Sequence, residues 1–316
     1  MTPLLFLLSF FAQDTGLKDL PGKGLAQHDF FYAGEQKQHW MFLVRGGKVV
    51  WEYKDPNSKG EISDAVLLSN GSVLFAHQYG VTLLSREKKV LWHYDAPAGT
   101  EVHTAQPIGK DRVVLVQNGD PALLRVVNIK TGATEREFPL AVGNPKPVHG
   151  HFRHARLTDA GTILIAHMDN KKVVEYDSKG KEVWSYAIES PWSATRLPNG
   201  NTLIATNKKL VREVNSKGET VWELRQEDIP DYKISGFQVA AKLKNGNVLV
   251  NNWVNMWSSK IDPATAPPQV LEITPERKVV WALRAWEDPV NLGPSTIIQV
   301  LTEGWVPEKA RFGEFR

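Results

Sequence analysis

One phrase recurs along this 316-residue chain and limits what the chain can fold into. It reads GGKVVWEY at 46–53, EKKVLWHY at 87–94, TGATEREF at 131–138, SKGKEVWSY at 178–186, SKGETVWEL at 216–224 and PERKVVWAL at 275–283. Five copies put tryptophan at the same point: Trp51, Trp92, Trp184, Trp222 and Trp281. Arg136 holds that point in the third copy. A second phrase precedes each later copy: LLSNGSVLFAH (67–77), PIGKDRVVLVQ (107–117), RLTDAGTILIAH (156–167), RLPNGNTLIAT (196–206) and KLKNGNVLVNN (242–252). Alternating β-branched and apolar residues flank a turn in each, as half-buried strands require. Asn70-Gly71, Asn199-Gly200 and Asn245-Gly246 read as tight hairpin turns with positive φ at both residues. The fifth unit predicts four strands, A to D from inside outward: Ser193–Leu197, Thr202–Thr206, Leu210–Asn215 and Thr220–Leu224.

Units of about 40 residues with four antiparallel strands are propeller blades. A lone blade cannot bury both faces, so the blades must pack in a ring. The recurrent indole then fills the gap between neighbours, which accounts for 11 tryptophans. The first unit starts at strand B (HDFFYAG, 28–34), and an unpartnered strand A follows the last tryptophan (PSTIIQVLTEG, 294–304). Joining them predicts an all-β, six-bladed propeller over 28–304, closed by a C-terminal strand that completes the N-terminal blade. An open array or two sandwiches would leave that last strand unexplained.

Outside the ring, Leu4 to Ala12 is apolar except for Ser9, too short to span a bilayer at about 20 residues but long enough for an export signal. Residues 1–12 are therefore expected to be a signal peptide, 13–27 a lead-in and 305–316 a C-terminal tail, giving a periplasmic or secreted protein with no stable membrane insertion. With 38 Lys and Arg against 35 Asp and Glu, the net charge is +3 and there is no basic block to bind nucleic acid. Absence of cysteine excludes disulfides, thiolate metal sites and cysteine nucleophiles. No G-x-S-x-G, P-loop, H-E-x-x-H or dinucleotide fingerprint occurs.

The pattern xxLxNGNxLIAT…xxVxEVDxxGKxVWxY, carried best by 156–186 and 196–224, resembles the PQQ-like propeller repeat and, within it, the arylsulfotransferase-like propellers. The resemblance covers nearly all of 28–302, but it rests on turns and packing tryptophans. It implies the fold more than an activity. The quinone enzymes of this class often have a neighbouring-cysteine pair, which this chain lacks, so bound PQQ is not expected. Exported sulfotransferases of the related kind use histidines at the central opening. The segment His151-Phe152-Arg153-His154 carries that role over as a catalytic histidine at His151 or His154, with Arg153 to hold an anion.

In a propeller the D–A and B–C loops share one face. The long segments 141–152, 225–236, 252–269 and 284–294 all fall there, a natural place for a site. Strand-B ends bring His77, Gln117, His167, Thr206 and Asn252 to equivalent positions, expected to ring the axis. Strand-A starts add His103, His151, His154, Trp192 and Gln238. Each of these histidines also has a plainer reading as a cap on a backbone carbonyl. Together they suggest a His- and Trp-lined funnel for a small-molecule or saccharide ligand, held by His77, His103, Gln117, His167, Trp192, Gln238 and Asn252. His77, His103 and His167 from separate blades can also hold a divalent metal. Nearby carboxylates are sparse (Asp64, Asp120, Asp169), which argues against a two-carboxylate glycosidase. Three readings stay open: a monomeric ligand-binding propeller, an enzyme using the same histidines (sulfotransferase-like, or a metal-assisted lyase or hydrolase), and an envelope scaffold that binds a protein on the long-loop face.

Overall fold

The computed structural model describes residues 20–34, 39–56, 59–256 and 260–316, so the expected export signal at 1–12 lies outside the described residues. Six four-stranded antiparallel sheets form the blades. Blade 1 runs from Ser295–Val300 through Phe30–Gly34 and Trp40–Arg45 to Lys48–Lys54, so the C-terminal strand is its innermost. Tyr32 faces Ile298 and Phe31 faces Gln299 across that join, which closes the ring. Blades 2 to 6 follow in sequence order, with strands A at Asp64–Leu67, Glu101–Ile108, Phe152–Leu157, Pro191–Arg196 and Phe237–Lys242. In blade 5 the strands are Pro191–Arg196, Thr202–Thr206, Leu210–Val214 and Thr220–Arg225, within about two residues of the reading from sequence.

The Asn-Gly turns differ from the expectation in a telling way. Only the glycines, Gly71, Gly200 and Gly246, have positive φ. Each asparagine instead accepts the N–H two residues on, as Asn70 Oδ1 does from Ser72 at 2.9 Å. The loop is one residue longer than a two-residue hairpin, since Leu68 N–H reaches the Ser72 carbonyl and Gly71 N–H the Leu68 carbonyl. That geometry needs a left-handed residue only once, after an ordinary turn, and glycine supplies it.

The recurrent indoles lock blade to blade. Trp51 donates its ring N–H to the carbonyl of Arg86, Trp184 to Ser216 and Trp222 to Pro275, in each case in the C–D turn of the next blade. Trp281, fully buried, donates instead to the Gly24 carbonyl in the lead-in, which packs against the short C–D turn of blade 1 at Gly47. Arg136 keeps the same bond, from Nη1 to the Ser178 carbonyl at 3.2 Å, but cannot fill the gap an indole would. The tail fills it. Phe312 is fully buried among Ile108, Val126, Leu157 and Ile163 between blades 3 and 4. Phe315 lies under the guanidinium groups of Arg112 and Arg136 at 5.7 and 5.4 Å, and Glu314 pairs with Arg136.

Candidate functional site

Only strand A of each blade lines the axis, and all six begin irregularly. One extra residue interrupts the A–B register at Val102/Thr104, Phe152/Ala155, Pro191/Ser193 and Phe237/Ala240, and between Ser295 and Ile297. In blade 2 the Ser63 N–H donates to the carbonyl of Ala76, the residue that Asp64 also faces. A β-bulge breaks the in-out alternation and re-aims a side chain. The bulged positions are His103, Arg153-His154, Trp192, Gln238-Val239 and Thr296, and except for Val239 all are buried.

Two layers of contacts result. In the deeper layer Asp64 takes both nitrogens of the Arg156 fork, at 2.7 and 2.8 Å, and the Thr104 hydroxyl at 2.7 Å. His154 Nε2 donates to the Ser63 carbonyl at 2.8 Å, while Nδ1 accepts from Arg156 at 3.1 Å. Burial is the largest influence on the Asp64 carboxyl and drives it up, but the Arg156 charge together with the hydrogen bonds from Arg156 and Thr104 holds the group below the usual carboxylate range. Burial, only partly offset by Asp64, pushes the His154 imidazolium down to about 4.

In the outer layer, at the loop-bearing end, His103 is the hub. Its Nδ1 meets Ser63 Oγ at 2.9 Å, Arg153 Nη1 at 3.0 Å and Glu61 Oε1 at 3.1 Å. Arginine can only donate and a carboxylate only accept, so Nδ1 accepts from Arg153 when the ring is neutral and donates to Glu61 when it is protonated, with a proton on Nε2 in both forms. That proton goes to Glu101 Oε2 at 2.7 Å, and the same oxygen takes His149 Nδ1 at 2.8 Å. Burial raises the Glu61 carboxyl, yet the hydrogen bond and charge of His103, joined by Arg153, hold it well below its ordinary value. Arg153 lies flat over Trp192 at 4.6 Å, and Trp192 stacks near Trp253, with ring centroids 6.3 Å apart. His149 is the exposed member, its side chain 45% accessible.

The expected ring of strand-B residues does not form around the axis. Strand B is the second strand out, so its side chains alternate between the faces of its blade and meet neighbouring sheets instead. His77 hydrogen-bonds Thr82 and stacks on His93; His167 bonds the Tyr176 hydroxyl and packs edge-on against Phe152. Gln117 accepts from Tyr94, Thr206 donates to the Leu210 carbonyl, and Asn252 ties the carbonyls of Lys233 and Pro268. The metal set His77, His103 and His167 is therefore not brought together. Burial leaves His77 near 4 and His167 near 3.

The histidines expected to be catalytic are also engaged. His151 Nε2 bonds the Asn144 carbonyl at 2.7 Å, and its Nδ1 is buried without a hydrogen bond. Both nitrogens of His154 are occupied. Neither imidazole offers a substrate a nitrogen. Of the sequence-derived residues, His103, Arg153 and Trp192 do meet at the mouth, and Gln238 is buried on the axis side of blade 6. Glu61, Ser63, Glu101 and His149 join them unforeseen. Glu61 and Ser63 precede their strand in a loop with no repeat signature, and His149 sits in a Pro-rich stretch that reads as solvated. A cleft of about 330 Å³ adjoins the mouth, floored by Glu101 and walled by Tyr79, Pro97 and Val148.

The closed ring of six sheets defines a six-bladed β-propeller, and part of it is similar to the PQQ-like repeat. The family model described as outer membrane protein assembly factor BamB matches residues 141–253, which hold the two most regular blades. No curated protein matches the chain. A solved protein of unknown function from Bacteroides caccae is 24% identical, covering 86% of this chain and 98% of its own, with a TM-score of 0.73. An inactive variant of virginiamycin B lyase from Staphylococcus aureus, solved with quinupristin, is 12% identical over 84% of this chain and 88% of its own, with a TM-score of 0.57. The WD40 propeller domain of Doa1 is 13% identical over 70% of each chain, with a TM-score of 0.53. These likenesses are of fold. No helix among the described residues is long and apolar enough to cross a membrane.

Proposed function

We propose that this propeller is a binding protein of the cell envelope that holds a small polar ligand, with saccharides the best-matched class, at the loop-bearing end of its channel. The supporting observation is the convergence of Glu61 from the loop before blade 2, Glu101 and His103 from blade 3, and His149 and Arg153 from blade 4, beside the indoles of Trp192 and Trp253. Carboxylates accept from hydroxyl groups, the guanidinium and imidazoles donate, and an aromatic face takes the apolar face of a sugar ring. Opposite charges are nearly matched there, which suits a neutral or weakly charged ligand. The envelope setting is supported by the apolar segment at 4–12 and by the BamB-like match.

Calorimetry against a panel of neutral and acidic mono- and oligosaccharides tests the reading. At least one ligand should bind, and Arg153→Gln should weaken it by tenfold or more while His77→Ala leaves it unchanged. If no member of the panel binds, the reading fails.

The BamB-like match over 141–253 favours a second reading, a scaffold for a protein partner, since that stretch includes two of the long loops of the same face. In that case pull-down of a partner is lost on deleting 253–268 and survives Arg153→Gln. Turnover at the histidines has less support, because the nitrogens of His151 and His154 are engaged or sealed in.

A further inference from the structure

We propose that Glu61, His103 and His149 form a binding site for a single divalent transition-metal ion of the zinc type. The inference concerns the same mouth as the ligand reading, and rests on that reading only in taking the mouth to be a site. Among the described residues these three are the group of potential ligands whose donor atoms, one from each, lie within 4.8 Å of one another. Two imidazole nitrogens and a carboxylate oxygen are the donor set of an open zinc site, which leaves a fourth position for water or a ligand.

Two further observations set the group apart from an ordinary ion-pair network. The first is Glu101. Metal-bound histidines typically donate their other ring N–H to a carboxylate, which fixes tautomer and orientation. A single oxygen of Glu101 does this for both rings, taking His103 Nε2 at 2.7 Å and His149 Nδ1 at 2.8 Å. The Gln78 amide steadies the other Glu101 oxygen at 3.0 Å. His103 Nδ1 and His149 Nε2 are thereby left as the nitrogens able to ligate. The second is Arg153, whose Nη1 lies 3.0 Å from His103 Nδ1 and 3.6 Å from Glu61 Oε1. A cation already sits against two of the three ligands, so that side of the group accommodates positive charge. The guanidinium also rests on Trp192, which gives it a seat to withdraw to.

A zinc ion bound about 2.0–2.2 Å from each donor requires them somewhat closer together than 4.8 Å. His149 can supply that movement, because it stands in the loop before strand A of blade 4, on a single 3-10 turn at Val148–Gly150, and is half exposed. Arg153 must swing toward Trp192 as the ion enters. The two cations compete, which gives the proposal a sign that a structural ion-pair network does not predict.

The test is titration of metal-stripped protein with Zn²⁺ by calorimetry, with Co²⁺ absorption as the probe of coordination and thermal melts to confirm that each variant folds. One equivalent of Zn²⁺ is expected. His149→Ala and Glu61→Gln should each weaken binding by tenfold or more, His77→Ala and His167→Ala should not, and Arg153→Gln should tighten it. Co²⁺ should give the intense visible bands of a four-coordinate site. Absence of stoichiometric binding overturns the proposal, as does binding that survives both His149→Ala and Glu61→Gln. Repeating the saccharide titrations with a chelator separates the two readings. Ligand binding with no Zn²⁺ binding defeats only the metal site. Zn²⁺ binding with no ligand defeats only the saccharide.

Discussion

Buried ionisable side chains give individual residues a measurable hold on stability. His77, His154 and His167 are shifted by burial from 6.5 to about 4, 4 and 3. Below pH 6.5 the unfolded chain protonates them and the folded chain does not, so the unfolded state binds more protons and stability falls as the pH is lowered. The contribution is complete above 6.5 and disappears as pH drops through 4 to 3. Glu61, Glu101 and Asp64, held below their ordinary values, act in the same direction, but from 4.5 downward for the glutamates and 3.8 for Asp64. Urea unfolding followed from pH 7 to 4 should show a decline that starts above the carboxylate range. The double variant His77→Gln/His167→Gln should flatten its upper part, and an unchanged slope would remove the histidine account. Arg156→Met leaves the buried Asp64 carboxylate without its cation. That variant should lose about 3–5 kcal/mol at pH 7, as for breaking a buried pair.

At the scale of elements, blade 3 shows how a repeat tolerates a missing part. Arg136 retains the inter-blade hydrogen bond that the indoles make, and the C-terminal segment brings Phe312 and Phe315 to restore the lost apolar contact. Further contacts pin the segment: Gly313 N–H to the Gly161 carbonyl, the Ser69 N–H and hydroxyl to Glu308, and the Arg112 guanidinium to the terminal Arg316 carbonyl. Phe312→Ala should therefore cost about 3–5 kcal/mol, the usual range for a buried phenylalanine. Ending the chain at 304 should cost at least as much. Adding Arg136→Trp to the shortened chain should recover part of the loss, since an indole would refill the gap. If thermal melts of the shortened chain match the full chain, the segment is an ornament rather than a clasp.

For the molecule as a whole, closure decides whether there is a fold at all. Ser295–Val300 supplies the innermost strand of blade 1 and covers an edge that would otherwise be open. Fragment 20–289 should unfold without cooperativity or associate. Adding peptide 290–316 in trans should restore one sharp transition, measured by circular dichroism. A sharp transition from the fragment alone would mean that the ring holds without its closing strand.

Much of this architecture is legible in the residues. Repeat period, the recurring tryptophan and the unmatched strands at the two ends give six blades, their closure and the face bearing the long loops, because each is a local pattern repeated in order. Arg136, the one departure from the tryptophan series, already marks the blade that needs outside help. Which side chains meet at the axis is another matter. His77 and His167 occupy equivalent positions in the repeat, yet strand B sends them between sheets. His103, Arg153 and Trp192 reach the mouth because a bulge turns the start of strand A, and a bulge shows only when two strands are paired. Glu61 and His149 come from loops without a repeat, where no period predicts a neighbour. Sequence thus determined the ring, since a ring needs only that each unit match the next. Tertiary structure decided the site, since it depends on contacts between blades far apart in the chain, set to within an ångström by the pleat and its interruptions.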